Sequence, residues 1–176
     1  MQVTGVVVAG ASQRRQFQAT YRSTLSDVYS YALFHAGGNR ALAEEITAET
    51  YLQATQHVAK GDGEQVTIGW LKTVARRRVI DHWRREERRR ARATKLQSEF
   101  VADGAKSNVD LERIAVQDAL RELTDSQRLV LTLKHVDGFS VDEIADQIGR
   151  TPKAVESMLV RSRTAFRSAY GGLEHG

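Results

Sequence analysis

Apolar residues recur at intervals of three and four through most of the chain, and the alternating apolar–polar runs that mark strands are missing. With a single proline, that pattern predicts an all-α fold. A first helix is expected over about Tyr21–Ala36, with Leu25, Val28, Tyr29, Ala32 and Leu33 on a shared face. Gly37, Gly38 and Asn39 end it, and Asn39 is placed to cap a second helix over about Arg40–Val58. There Leu42, Ile46 and Leu52 are expected inward, and Glu45 and Glu49, four apart, on an outer side. A polar loop, "KGDGEQ", leads into a long helix containing "WLKTVARRRVIDHWRREERRR", Trp70 to Arg90. On a helical wheel Ile68, Leu71, Ala75 and Val79 form a core stripe bordered by Trp70 and Val74. Ile80 and Trp83 fall away from it, among Arg76 and Arg84.

The period fades from Ala93 to Asp110 and returns from Leu111 to about Tyr170. Two small helical domains joined by a flexible linker are therefore expected: a leader over 1–20, a first lobe over 21–92, a linker over 93–112, a second lobe over 113–170 and a tail over 171–176. The leader "MQVTGVVVAGAS" is apolar but has no basic segment before it, so it reads as a flexible leader rather than a signal peptide. No run approaches the ~20 apolar residues of a membrane span.

The second lobe carries three helix-start signals. Thr124 with Gln127, and Ser140 with Glu143, have capping-box spacing. Thr151 followed by Pro152 is a third start, because proline at the first helical position forfeits no needed donor. A short helix from Val141 to Ile148, Gly149, and a capped second helix give helix-turn-helix spacing. On the second helix Val155, Leu159, Ser162 and Phe166 point to the core, with Met158 at the edge. Lys153, Ser157, Val160, Arg161 and Thr164 lie opposite. Ser157, Val160 and Arg161 are candidates for base edges, and Lys153 and Arg163 for phosphates. The alternative is a helical hairpin whose polar face is merely wet.

Charge sharpens the picture through its distribution, since the net value is only +4. Nine arginines lie between Arg76 and Arg92 against Asp81, Glu86 and Glu87, so this helix wants an anion. Between Gly37 and Val66 the balance is acidic, which suits a basic partner. Trp83 beside arginines suits nucleic acid: phosphates meet the guanidinium groups and an unstacked base lies on the indole. Such stacking is worth ~1–3 kcal/mol, comparable with the few that opening a base step costs. The competing reading is a helix buried on both sides. The absence of cysteine excludes disulfides, thiol catalysis and Cys-type zinc sites. His35, His57, His82, His135 and His175 are too dispersed for a local ligand motif, so neither metal, cofactor nor catalysis is expected.

Together the two halves resemble the extracytoplasmic-function (ECF, group IV) sigma factors of bacterial RNA polymerase, in the sigma-70 family. "AEEITAETYLQA" at 43–54 looks like region 2.1–2.2, "WLKTVARRRVIDHWRR" at 70–85 like regions 2.3–2.4, and "LTDSQRLVLTLKHVDGFSVDEIADQIGRTPKAVESMLVRSR" at 123–163 like region 4. The resemblance implies a cytoplasmic initiation factor that binds core RNA polymerase, on its clamp and flap, and promoter DNA, with an anti-sigma factor as a further partner. Carried over by position, Glu45 and Glu49 face the polymerase. Arg77, Asp81, Arg84 and Arg85 serve the −10 element and melting, and Arg76 and Trp83 join them from the helical wheel alone. Glu156, Ser157, Val160 and Arg161 serve the −35 element, and Lys153 and Arg163 join them as the phosphate contacts read from the wheel. Three positions depart from the family pattern: Ala48 replaces the usual glutamine, Thr55 the usual aromatic, and Glu156 a common basic residue. The main alternative is a LuxR-like helix-turn-helix regulator; another is a helical interaction module that binds no DNA.

Overall fold

The computed structural model describes residues 11–92 and 111–173, and their regular structure is all helical. The elements are α1 (Ala11–His35), α2 (Arg40–Ala59), a 3-10 turn (Gly63–Gln65), α3 (Ile68–Arg92), α4 (Leu111–Arg121), α5 (Asp125–His135), α6 (Val141–Ile148) and α7 (Pro152–Leu173). The all-α expectation holds. The expected linker lies outside the described residues except for Leu111 and Glu112, which open α4; so do the first ten residues of the leader.

α1 begins at Ala11, well before the expected Tyr21. The stretch "ASQRRQFQAT" has helix-favouring residues but too few apolar ones to show a period. Phe17, within it, packs on the core.

The described residues form two compact units. One comprises those up to Ala32 with Ala41–Val79; the other comprises Leu33–Arg40 with those from Ile80 onward. In the first, Val28, Tyr51, Ala54, Val58, Val66 and Leu71 form a buried cluster against which Leu25, Ile68 and Trp70 pack. Tyr51 shares a 2.8 Å hydrogen bond with the Thr24 hydroxyl and an edge-to-face contact with Tyr21. Burial pushes its phenol pKa up, and the Thr24 bond opposes this.

In the second unit Leu120, Leu129, Val130, Leu133, Ile144, Ile148, Val155 and Leu159 are buried. Arg128 lies among them, only 8% exposed. Its Nε donates to the Leu120 carbonyl and its Nη2 to the Leu123 carbonyl, both at 2.8 Å, while Nη1 reaches Asp125 at 3.3 Å. The guanidinium thus satisfies carbonyls where α4 ends and α5 begins.

Two inward–outward expectations need correction. Leu52, expected inward, is 60% exposed. Ile80 and Trp83, expected among the arginines, are 3% and 5% exposed. The two halves of α3 belong to different packing units, so a wheel anchored on Leu71 cannot describe the second half. A four-residue spacing also drifts about 40° per step, so the run Leu71, Ala75, Val79, Trp83 winds round the helix while staying buried.

Candidate nucleic-acid interface

The second unit builds its outward face from a tightly specified turn. Ser140 caps α6: its hydroxyl accepts from the Glu143 N–H at 3.2 Å, and Glu143 Oε2 accepts from the Ser140 N–H at 2.8 Å. Burial of Ile144, Ala145 and Ile148 fixes the helix against its neighbours. Gly149 ends it with φ of 68°, a left-handed conformation that glycine adopts without penalty. Its N–H and that of Arg150 both donate to the Ala145 carbonyl. Thr151 then receives the Ala154 N–H at 3.3 Å, and α7 starts at Pro152. Thr124 and Gln127 form the second capping box at the start of α5. All three starts match the sequence expectation.

α7 is two-sided. Val155, Leu159 and Ser162 are buried, Ser162 returning its hydroxyl to the Met158 carbonyl at 2.7 Å. Lys153, Glu156, Ser157, Val160, Arg161, Arg163 and Thr164 are all exposed. The six candidate −35 positions therefore sit on one outward surface of a single helix. Ser157 gives its hydroxyl to the Lys153 carbonyl at 3.0 Å, and Arg161 Nε donates to the Ser157 carbonyl at 3.3 Å.

α3 supplies the second set. Arg77, Asp81 and Arg85 are exposed; Arg76 and Arg84 are half-buried. Within the second unit Arg84 donates to the Gln147 carbonyl, Glu87 pairs with Arg150, and Arg90 meets Asp125 at 2.5 Å. Trp83 is enclosed, so its indole presents no open face to a base in this arrangement. This corrects the expected exposure of the ring.

On α2 the acidic pair divides. Glu45 is exposed, whereas Glu49 lies 3.4 Å from Arg78 Nε of α3, and Arg78 Nη2 also donates to Gln53 at 3.1 Å. Glu45, Ala48, Leu52 and Thr55 form an exposed stripe at helical spacing. On α2 it is Leu52 that departs from expectation; its distance of seven from Glu45 and four from Ala48 was the available signal. Among the described residues no cluster of three or more His, Asp or Glu is arranged to hold a metal ion. None of their helices is long and apolar enough to cross a membrane.

Residues 20–89 match the Sigma-70 region 2 family, and residues 113–166 match Sigma-70, region 4. The chain is 31% identical over 167 residues to the ECF RNA polymerase sigma factor SigL of Mycobacterium tuberculosis, covering 90% of this chain and 91% of SigL. It is 31% identical over 165 residues to the ECF RNA polymerase sigma factor BldN of Streptomyces coelicolor, covering 90% of this chain but only 62% of BldN. The sigma factor RpoE of Bartonella quintana, solved in complex with the anti-sigma factor NepR, shares the fold with a TM-score of 0.54. That alignment has 20% identity and covers 88% of this chain and 96% of RpoE. The region 2 match covers the acidic and arginine-rich helices that a LuxR-like regulator leaves unexplained. Two sigma-70 regions in order, and likeness to SigL along nearly its whole length, establish that the chain belongs to the ECF RNA polymerase sigma factors, alternative sigma factors that direct transcription initiation.

Proposed function

We propose that this chain binds core RNA polymerase with α2, opens the −10 element with α3 and reads the −35 element with α7, without catalysis of its own. The observation that carries the reading is the two-sided α7, whose exposed flank includes all six expected DNA-facing residues while Val155, Leu159 and Ser162 on the other side are buried. A helix so presented after a capped turn fits the major groove with its N-terminal half towards base edges. Lys153 and Arg163 take phosphates; Glu156, Ser157, Val160 and Arg161 take bases.

Arg76, Arg77, Arg84 and Arg85 meet the −10 phosphates, and Asp81 accepts from a base. Trp83 contributes from within the fold, anchoring the helix turn from which Arg84 and Arg85 project. The exposed α2 stripe, acidic at Glu45 and apolar at Leu52, docks on the polymerase clamp, with Glu49 positioned by Arg78. The second lobe meets the flap. An anti-sigma factor covering these same surfaces, and action in the cytoplasm, complete the proposal.

Run-off transcription from genomic fragments by purified core polymerase, with and without the chain, tests it. New discrete transcripts that depend on the chain are expected. Failure to associate with core polymerase defeats the reading even if either lobe binds oligonucleotides.

A further inference from the structure

Val160 is the anomaly on the outward face of α7. It is 61% exposed, and among the large hydrophobic side chains of the described residues only Leu52 is comparably exposed. Its neighbours on that flank are polar or charged: Glu156 and Ser157 on the preceding turn, Arg163 and Thr164 on the following one. A β-branched side chain in a helix has essentially one χ1 rotamer, so its two methyl groups are held in a fixed direction. The flanking hydroxyls turn back onto the helix, Ser157 to the Lys153 carbonyl at 3.0 Å and Thr164 to the Val160 carbonyl at 3.2 Å.

In the major groove one base feature is apolar, the C5 methyl of thymine, and one pyrimidine feature is a hydrogen-bond donor, the N4 amino group of cytosine. A valine can do nothing for the polar edges of G, A or C except leave them unsatisfied. Glu156, exposed one turn before Val160, can only accept when ionised, and cytosine N4 is the donor with which an acidic side chain is commonly paired. Four helical residues rise about 6 Å, close to two base steps.

We infer that Val160 and Glu156 form a paired reader of pyrimidines in the −35 element, Val160 packing on a thymine methyl and Glu156 accepting from a cytosine N4 within two base pairs of it. This deepens the proposed −35 role and rests on it. The pair selects bases by what each side chain cannot do as much as by what it can: the carboxylate repels the N7 acceptor that both purines carry, and the valine penalises any edge that needs a partner.

The test uses holoenzyme reconstituted from the full chain and core polymerase. Selection from a promoter pool randomised at the −35 element is expected to return a cytosine and a thymine within two base pairs. On the selected promoter, deoxyuridine in place of that thymine removes the methyl and nothing else. Wild-type holoenzyme should then bind roughly fourfold more weakly, the factor that follows from withdrawing one methyl-sized contact. Val160→Ala holoenzyme should bind the two promoters almost equally. Because Val160 is exposed, its replacement by alanine leaves the core intact. In the same selection, Glu156→Gln should exchange the preferred cytosine for adenine, which presents an acceptor beside its donor. Equal sensitivity of wild type and Val160→Ala to the missing methyl, or selection without a thymine, overturns the inference while leaving the sigma-factor reading standing. Absence of chain-dependent binding to any promoter overturns both.

Discussion

Glu143 Oε2 accepts hydrogen bonds from both the backbone N–H and the hydroxyl of Ser140, each at 2.8 Å, and the Glu143 N–H is returned to that hydroxyl. Two donors aimed at one carboxylate favour its charged form, and they hold the Glu143 pKa below its ordinary value. The unfolded chain therefore takes up this proton more readily than the native one. The stability this contributes is complete above the ordinary glutamate pKa and is lost as pH falls through the lowered native value. Glu143→Gln keeps the capping geometry but removes the charge, so it should flatten that part of the acid limb of a denaturation profile. Ser140→Ala should cost about 1 kcal/mol at neutral pH, measured by urea unfolding.

Arg128 makes a sharper claim on stability. Its planar fork spans two carbonyls and a carboxylate, while burial drives its pKa down and Asp125 opposes that shift. Arg128→Ala should destabilise the chain by about 2–4 kcal/mol, since buried carbonyls lose charged donors. Arg128→Lys should recover only a minority of this, because a single ammonium cannot reproduce the fork. Unfolding curves showing lysine equal to arginine would contradict it.

Leu52 is expected to separate binding from folding. At 60% exposure its replacement by glutamate should leave the unfolding free energy within about 0.5 kcal/mol of wild type. Affinity for core polymerase should fall by roughly tenfold or more, as for an anchor residue at an interface centre. Fluorescence anisotropy with labelled chain gives the answer; unchanged affinity would remove Leu52 from the contact.

Charge reversal at Arg84 and Arg85 together should abolish promoter opening by reconstituted holoenzyme, read as loss of permanganate reactivity at the melted thymines. Arg85→Ala alone should reduce opening with no stability effect, since that side chain is exposed. Arg84→Ala should also cost some stability, because its guanidinium caps the Gln147 carbonyl. Unchanged reactivity in the double reversal would remove these arginines from the melting step.

Local signals were legible in the sequence. Both capping boxes, the Gly149 stop and the Pro152 start depend on residues within a few positions of one another, and each formed as read. So did the buried and exposed flanks of α7 as far as Ser162, where α4, α5 and α6 pack on that helix, whereas Phe166, expected in the core, is only half-buried. Readings failed where the deciding neighbour is remote. Trp83 stands among arginines in sequence yet is enclosed by the fold. Leu52 carries a core residue's chemistry but an outward register. Arg128 sits inside "TDSQRL", which reads as polar, and only the meeting of α4 with α5 supplies the carbonyls that draw it in. The start of α1 was hidden because propensity without periodicity leaves little trace.

The division of α7 into a flank that folds and a flank that faces outward gives this chain an interchangeable vocabulary. On the proposed reading, the positions that spell a promoter preference are not those that hold the helix in place, so new spellings can be tried singly without endangering the scaffold. A lineage that duplicated this gene could drift to a different set of promoters through a few exposed codons, and a designer could follow the same route.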